Sequence, residues 1–191
     1  TVGRHSQVDH FLDALFRLLR QLGRSSGFRV EEIPAQVIDH VKVSSTKIRE
    51  ALLAGHVAKA NTLLGYTYML NGVVVKGRQL GRTIGWPTAN IGAIDPNKLV
   101  PGNGVYAITA TTLQGDFKGM MSIGVRPTVE EHGARTVEAH LFGLDQDIYG
   151  EPITVRLHGR LRDELRFDSM DAMKEAIHKD KRDALRVLEH V

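Results

Sequence analysis

Three evenly spaced glycines follow a short apolar run and constrain this chain more than any other feature. The run Val73–Val75 is β-branched and predicts a strand, and the segment after it is rich in glycine and arginine. These residues are Gly77, Arg78, Gly81, Arg82 and Gly85. Glycine lets backbone N–H groups approach an anion closely, and the guanidinium groups add positive charge. The pattern indicates a phosphate-binding loop, or else a β-hairpin whose glycine-rich loop binds no ligand.

The glycine-rich segment ends in the sequence Trp86-Pro87-Thr88-Ala89-Asn90. Thr88 and Asn90 are two residues apart, so on an extended backbone their side chains point to the same face. A hydroxyl and a carboxamide oxygen placed in this way are suitable ligands for a hard cation such as Mg²⁺. The segment is not a P-loop, because no Gly-Lys-Ser/Thr sequence closes it.

The sequence Gly-Arg-Thr-Ile-Gly-Trp-Pro-Thr-Ala-Asn-Ile at residues 81–91 closely resembles the riboflavin kinase family. More specifically, it resembles the C-terminal half of the bacterial bifunctional members, which also adenylylate FMN. Residues 101–106 and 122–128 resemble two further segments of the family. The resemblance implies an ATP-dependent kinase that transfers the γ-phosphoryl group of ATP to the 5′-hydroxyl of riboflavin. The products would be FMN and ADP.

The resemblance also implies roles for residues of two loops. Those implied in ATP binding are Gly77, Gly81, Arg82, Gly85 and Thr88, and those implied as Mg²⁺ ligands are Thr88 and Asn90. A charged run at residues 160–167 is typical of a solvated loop when taken alone. It resembles the family's Leu-Arg-x-Glu-x-x-Phe flavin loop, which implies that Arg162 and Phe167 contact the flavin.

Residues 135–142 alternate between apolar and polar side chains, with Thr136, Glu138 and His140 on one face of a predicted strand. The pattern alone is typical of a half-buried strand with a solvent face. The segment resembles the family's Val-Glu-x-His sequence, which implies that Glu138 is the general base. A carboxylate is a weak base for an alcohol, so Glu138 need only accept the proton late in the reaction. We interpret His140 as a packing residue or a hydrogen-bonding neighbour.

The sequence Ser-Ser-Thr-Lys-Ile-Arg at residues 44–49 predicts a helix start, because hydroxyl side chains cap helices well. It also resembles a nucleotidyltransferase signature that binds the ATP triphosphate. That resemblance implies that Ser44, Ser45, Thr46 and Arg49 are the remnant of an adenylylation site. The signature's companion motif, His-x-Gly-His, does not occur in this sequence. We therefore expect that this chain alone does not convert FMN to FAD.

Two domains are expected. Residues 1–66 are predicted to be the α/β C-terminal remnant of an FMN adenylyltransferase domain, with an amphipathic core helix at residues 6–23 and extended segments at 28–33 and 36–43. Residues 67–191 are predicted to form a riboflavin kinase-like antiparallel β-barrel of about six strands with a C-terminal helix outside it. The expected buried stripe of that helix consists of Met170, Met173, Ile177, Leu185 and Leu188.

Composition excludes several other classes of protein. The net charge of +3 over 191 residues is too slight to predict a nucleic-acid partner. No apolar run approaches the roughly 20 residues that a membrane span needs, and the chain does not open like a signal peptide. The absence of cysteine fits a reducing compartment, so we expect a cytoplasmic protein. The sequence predicts no particular oligomeric state.

Two other functions stay open at this level. One is a non-catalytic flavin-binding domain, which would bind riboflavin but consume no ATP. The other is a nucleotidyltransferase in which the barrel is only an appendage. The missing His-x-Gly-His motif disfavours the second.

Overall fold

A computed structural model describes residues 3–31, 37–38, 41–77, 81, 85–125 and 135–191. The chain divides into two compact units, Thr1–Lys42 and Val43–Val191. Within the described residues, no helix combines the length and the hydrophobicity needed to cross a bilayer.

The first unit contains helix α1 (Gly3–Ser26) and an antiparallel pair of short strands, β1 (Val37–Ile38) and β2 (Val41–Lys42). The helix confirms the amphipathic pattern, but three residues of its stripe are not buried: Leu15, Leu19 and Leu22 are each more than a third exposed. The prediction that the stripe is buried is therefore wrong at these three residues. Residues 28–31, expected to be extended, form no strand.

The second unit begins with helices α2 (Ser45–Leu53) and α3 (Val57–Leu64). Ser44 caps α2, because its hydroxyl accepts a hydrogen bond from the Lys47 backbone N–H at 3.3 Å. Gly65 ends α3 in the left-handed conformation, with φ of 75°, which glycine adopts without strain. Apolar residues of both helices belong to the core cluster that fills the following barrel: Ala51, Leu52, Val57 and Ala60.

Six antiparallel strands then close into a barrel in the order β3-β4-β7-β6-β5-β8. Their bounds are β3 Met69–Val75, β4 Ala89–Gly92, β5 Gly104–Thr112, β6 Gly115–Val125, β7 Arg135–Leu141 and β8 Pro152–Arg162. Alternate side chains fill the interior, where Leu70, Ile108, Met121 and Val155 are fully buried. The predicted six-stranded antiparallel barrel is confirmed.

The C-terminal helix α4 (Met170–Val187) packs outside the barrel, as predicted. It begins after Ser169, whose hydroxyl accepts a hydrogen bond from the Ala172 N–H at 3.1 Å. Its Ala184 side chain and the following Leu188 join a second cluster with Val105, Ala107 and Met120 on the outer face of β5 and β6. The predicted stripe is partly wrong, since Met170 is 54% and Leu185 43% exposed. The helix is turned so that Asp180 occupies the buried face instead.

The helices α2 and α3 share a compact unit with the barrel rather than with α1. That division describes packing only. The domain boundary expected between residues 66 and 67 stays a prediction.

Candidate active site

Strand pairing brings the predicted base beside the predicted metal ligands. Asn90 on β4 lies directly opposite Glu138 on β7, and Glu138 lies opposite Ser122 on β6. Residues opposite each other on neighbouring strands project to the same face of the sheet. Thr88, which immediately precedes β4, donates its hydroxyl to Glu138 Oε2 at 3.4 Å. Hydroxyl, carboxamide and carboxylate groups therefore converge on one outer face of the barrel.

The glycines of the segment have steric reasons to be glycine. A Cβ atom added at Gly77 would overlap the carboxamide of Asn90, so the backbone of residue 77 lies directly on that side chain. A Cβ at Gly81 would overlap the carbonyl of Trp86, whose N–H donates to the Gly81 oxygen at 2.7 Å. Gly85 has a φ of 83°, in the left-handed region that glycine adopts without strain. Arg82, another predicted ATP ligand, lies outside the described residues.

A cavity of about 520 Å³ lies between this face of the barrel and helix α4. Its size is that of a pocket for a small molecule or cofactor. Five predicted site residues line it: Gly81, Thr88, Glu138, Arg162 and Phe167. Most of the remaining lining is apolar and comes from Trp86, Val105, Met120, Met170, Met173 and Ile177. The structure thus brings the predicted base and both predicted flavin contacts to one cavity, whereas Gly77, Gly85 and Asn90 are not among the residues that line it.

Arg162 is held in the cavity wall by a buried acid. Its Nε donates to Asp180 Oδ1 at 2.9 Å and its Nη2 to Asp180 Oδ2 at 2.8 Å. The Asp180 side chain is only 5% exposed. The guanidinium carbon lies 5.7 Å from the centroid of the Phe167 ring, within cation–π distance. Arg162 and Phe167, the two residues predicted to contact the flavin, therefore lie beside each other.

Sequence reasoning missed Asp180, although a signal existed. It follows Met173 and Ile177 at helical spacing, so it lies on the apolar face of α4. A carboxylate on a buried face requires a cationic partner, because an unpaired buried charge is strongly destabilising. The predicted flavin loop supplies that partner in Arg162.

Trp86 and His140 form a further contact in the cavity wall. The His140 Nδ1 atom lies 2.7 Å from the Pro87 carbonyl oxygen, and its ring meets the Trp86 ring with centroids 4.8 Å apart at 63°. Burial lowers the pKa of His140. The hydrogen bond with Pro87 opposes that shift, and the charge of Lys181 adds to it. Trp86 also contacts His178 on α4.

The segment at residues 44–49 that resembles an adenylylation signature lies elsewhere. Ser44 caps helix α2, while Ser45, Thr46 and Arg49 are exposed in its first turns. None of the four lines the cavity. The structure therefore separates this signature from the site on the barrel.

The oxygen groups beside Glu138 fit a magnesium ion that is bound together with a phosphorylated substrate. Among the residues that the structure describes, no group of three His, Asp or Glu side chains could hold a metal alone. Thr88 and Asn90 offer two neutral side-chain oxygens. Mg²⁺ commonly takes one or two protein ligands and completes its octahedron with waters and substrate phosphates.

A family model described as riboflavin kinase (Flavokinase) matches residues 64–188. This chain belongs to the riboflavin kinase family. It is 38% identical over 166 residues to the bifunctional riboflavin kinase/FMN adenylyltransferase of Bacillus subtilis, and 39% identical over 167 residues to that of Escherichia coli K12. These matches cover 86% of this chain but only 51% and 52% of the relatives, so the chain spans about half of their length.

A solved structure shares the fold of this riboflavin kinase family member. The crystal structure named as a macrolide-efflux protein from Streptococcus pneumoniae matches with a TM-score of 0.73 at 35% identity. The match covers 78% of this chain and 49% of that one. The similarity supports the architecture of barrel and helices described above.

Proposed function

We propose that this chain transfers the γ-phosphoryl group of ATP to the 5′-hydroxyl of riboflavin, forming FMN and ADP. The observation that carries the proposal is the convergence of three groups on one 520 Å³ cavity. The Glu138 carboxylate, the Thr88 hydroxyl and the Arg162–Phe167 pair all face it. Membership of the riboflavin kinase family supplies the identity of the substrates.

Riboflavin is proposed to occupy the cavity with its ring system among the apolar side chains. Trp86, Phe167 and the methionines of α4 offer surfaces on which a flat aromatic ring can pack. The Asp180 carboxylate fixes the Arg162 guanidinium and leaves it less able to reorient when the ring enters. The ribityl chain then extends toward Glu138.

The phosphates of ATP are proposed to bind the glycine-rich segment through Gly77, Gly81, Arg82, Gly85 and Thr88. Thr88 and Asn90 would hold Mg²⁺, which when bound offsets the negative charge of the phosphate oxygens. The Glu138 carboxylate accepts the proton of the 5′-hydroxyl as the new oxygen–phosphorus bond forms. The bond to the bridging oxygen between the β- and γ-phosphorus atoms breaks, and ADP leaves. The protein's contribution is mainly positioning and electrostatic stabilisation.

Adenylylation of FMN is proposed only for a longer parent protein that carries a His-x-Gly-His motif. In such a protein Ser44, Ser45, Thr46 and Arg49 would bind the triphosphate at the N-terminus of α2, where backbone N–H groups favour anions. A cytoplasmic location, with small-molecule substrates as the partners, also stays a prediction.

The test is to incubate the protein with riboflavin and MgATP and to quantify FMN by chromatography. We expect FMN formation, and a fall in kcat of about 100-fold or more in Glu138→Gln, because a positioned base contributes roughly that factor. Riboflavin should still bind this variant, as measured by quenching of flavin fluorescence. Glu175→Gln, a change on the exposed side of α4, is the matched control.

One result would contradict the proposed activity, and another would contradict only the role of Glu138. Quenching of flavin fluorescence without consumption of ATP by the wild type would favour the non-catalytic flavin-binding domain. A near-normal rate in Glu138→Gln would remove Glu138 from the role of base, while leaving the kinase activity itself in place.

A further inference from the structure

His140 links the strand that carries the base to the segment that carries the proposed metal ligands. It lies two residues after Glu138 on β7, so both side chains project to the same face. Its Nδ1 atom is 2.7 Å from the carbonyl oxygen of Pro87. A carbonyl oxygen only accepts hydrogen bonds, so Nδ1 must carry the proton and donate it. Pro87 immediately precedes Thr88, whose hydroxyl reaches Glu138.

Aromatic neighbours fix the orientation of the His140 ring. Trp86 approaches it with centroids 4.8 Å apart, and Phe142 with centroids 5.6 Å apart at 61°. Both contacts are edge-to-face, a favourable geometry for aromatic pairs. The ring is therefore held with Nδ1 aimed at the Pro87 carbonyl.

The segment that His140 contacts needs an external support. Glycines at positions 81 and 85 precede it, and glycine restricts the backbone less than any other residue. The Trp86 N–H bond to Gly81 and the His140 bond to Pro87 both act where this loop leads into β4. The first bond lies within the loop itself, whereas the second ties the loop to β7.

We propose that His140 is a positioning residue for the phosphoryl transfer, and that its Nδ1–H···O bond to Pro87 fixes the Pro87–Thr88 peptide so that the Thr88 hydroxyl faces both Glu138 and the magnesium-bound nucleotide. This role rests on the function proposed above. It acts through Thr88 and requires no contact between His140 and the substrates.

Three substitutions at this position separate the hydrogen bond from the packing. His140→Asn keeps a donor near the place of Nδ1, His140→Gln moves the donor to the place of Nε2, and His140→Leu removes it. We expect His140→Gln and His140→Leu to weaken MgADP binding and to lower kcat, each by about 10- to 100-fold, as is usual when a group that orients a metal ligand is lost. His140→Asn should stay close to the wild type in both quantities. Calorimetry gives the MgADP affinity and FMN formation gives kcat.

His158→Leu is the matched control. His158 is also partly buried and hydrogen-bonded, through Nε2 to the Thr109 hydroxyl at 2.9 Å, but it lies on β8 and does not line the cavity. Its replacement should leave MgADP affinity and kcat unchanged even if thermal stability falls. Thermal unfolding of every variant confirms that each is folded under the assay conditions.

Unchanged MgADP affinity and kcat in His140→Leu would overturn the proposal. A His140→Asn variant as impaired as His140→Leu would also overturn it, because the ring rather than the hydrogen bond would then be responsible. If the wild type makes no FMN, the proposed function fails. In that case the MgADP affinities of the variants still show whether the His140–Pro87 bond supports nucleotide binding.

Discussion

Asp180 shows how one side chain can serve both the stability and the site of this protein. It is a charged residue on the buried face of α4, and its carboxylate accepts three hydrogen bonds from the Arg162 guanidinium, at 2.8, 2.9 and 3.0 Å. Removing charges from water is costly, and a paired buried charge recovers that cost only with good geometry. The pair joins α4 to the end of β8 and sets the guanidinium against the Phe167 ring.

Replacing Asp180 should therefore affect folding and flavin binding together. In Asp180→Asn the Arg162 guanidinium keeps its charge but loses its anionic partner, and we expect unfolding to become easier by about 2 kcal/mol. Riboflavin should also bind more weakly, because Arg162 is then free to leave the cavity wall. Urea denaturation and flavin fluorescence measure the two effects.

Asp183→Asn on the same helix provides the comparison. Asp183 pairs with Lys179 and Arg186, whose side chains are largely exposed, and exposed ion pairs contribute little. This variant should behave like the wild type in both measurements. If Asp180→Asn and Asp183→Asn lost equal stability and equal affinity for riboflavin, the charge of the helix, and not the buried ion pair, would be responsible for both effects.

Among the secondary-structure elements, the strands were predicted best. Residues 135–142 were expected to form a strand and Arg135–Leu141 is found, because polar and apolar side chains alternate there with a period of two. The stripe of α4 was predicted less well. Met170 and Leu185 have the spacing of a buried face, yet the rotation of a helix is decided by what it packs against. Here Ala184, Leu188 and the Asp180–Arg162 pair decide it.

The candidate site could be predicted only in part from residue patterns. Spacing alone indicates that Thr88 and Asn90 share a face, but not that β4 lies beside β7. The register that places Asn90 opposite Glu138 joins segments that are distant along the chain, and periodicity carries no information on such pairings. The resemblance to the riboflavin kinase family supplied that link. The His140–Pro87 contact depends on the same pairing, whereas the Trp86–His178 contact depends on the packing of α4, and neither partner was predicted.

The contact between the glycine-rich segment and β4 gives a prediction at the scale of elements. In Gly77→Ala the added methyl group overlaps the Asn90 carboxamide, which is only 8% exposed and has little room to move. We expect overpacking to destabilise the protein by about 1 to 3 kcal/mol and the displaced Asn90 to weaken MgADP binding. Thermal unfolding and calorimetry are the measurements.

Gly159→Ala on β8 is the matched control for this substitution. Its added methyl group would meet only the end of the Val187 side chain, at 3.3 Å, and it lies away from the cavity. MgADP affinity should be unchanged in this variant. If Gly77→Ala binds MgADP as the wild type does, Asn90 is not a ligand of the nucleotide-bound metal.

At the scale of the whole molecule, helices α2 and α3 contribute buried side chains to the core of the barrel. Leu52, Val57 and Ala60 are buried in the same cluster as Tyr68 and Leu70 of the barrel. The Asn61 side chain donates to the Leu157 carbonyl and accepts from the Tyr68 N–H, both at 2.8 Å. The helices therefore complete the barrel core, whatever their ancestry.

Two truncations test this conclusion. A fragment of residues 43–191 should fold cooperatively and form FMN, because it retains the whole compact unit. A fragment of residues 67–191 follows the predicted domain boundary but loses several buried side chains, each worth about 1.5 to 3 kcal/mol when large and fully buried. It should melt at a much lower temperature or fail to fold. Similar melting temperatures for the two fragments would show that the barrel is self-sufficient.

The closure of the barrel through β3 and β8 has a consequence for how the protein is made. Met69 pairs with Arg156, so β3, the first strand of the barrel, cannot complete its pairing before β8, the last strand, has been synthesised. Pairing distant segments is slow, because the entropy of the intervening loop is lost before any contact forms. On the ribosome the cylinder stays open until β8 has emerged, and α4 follows later still. Because residues of α4 line the cavity between that helix and the barrel, a nascent chain can complete this cavity only after α4 has emerged.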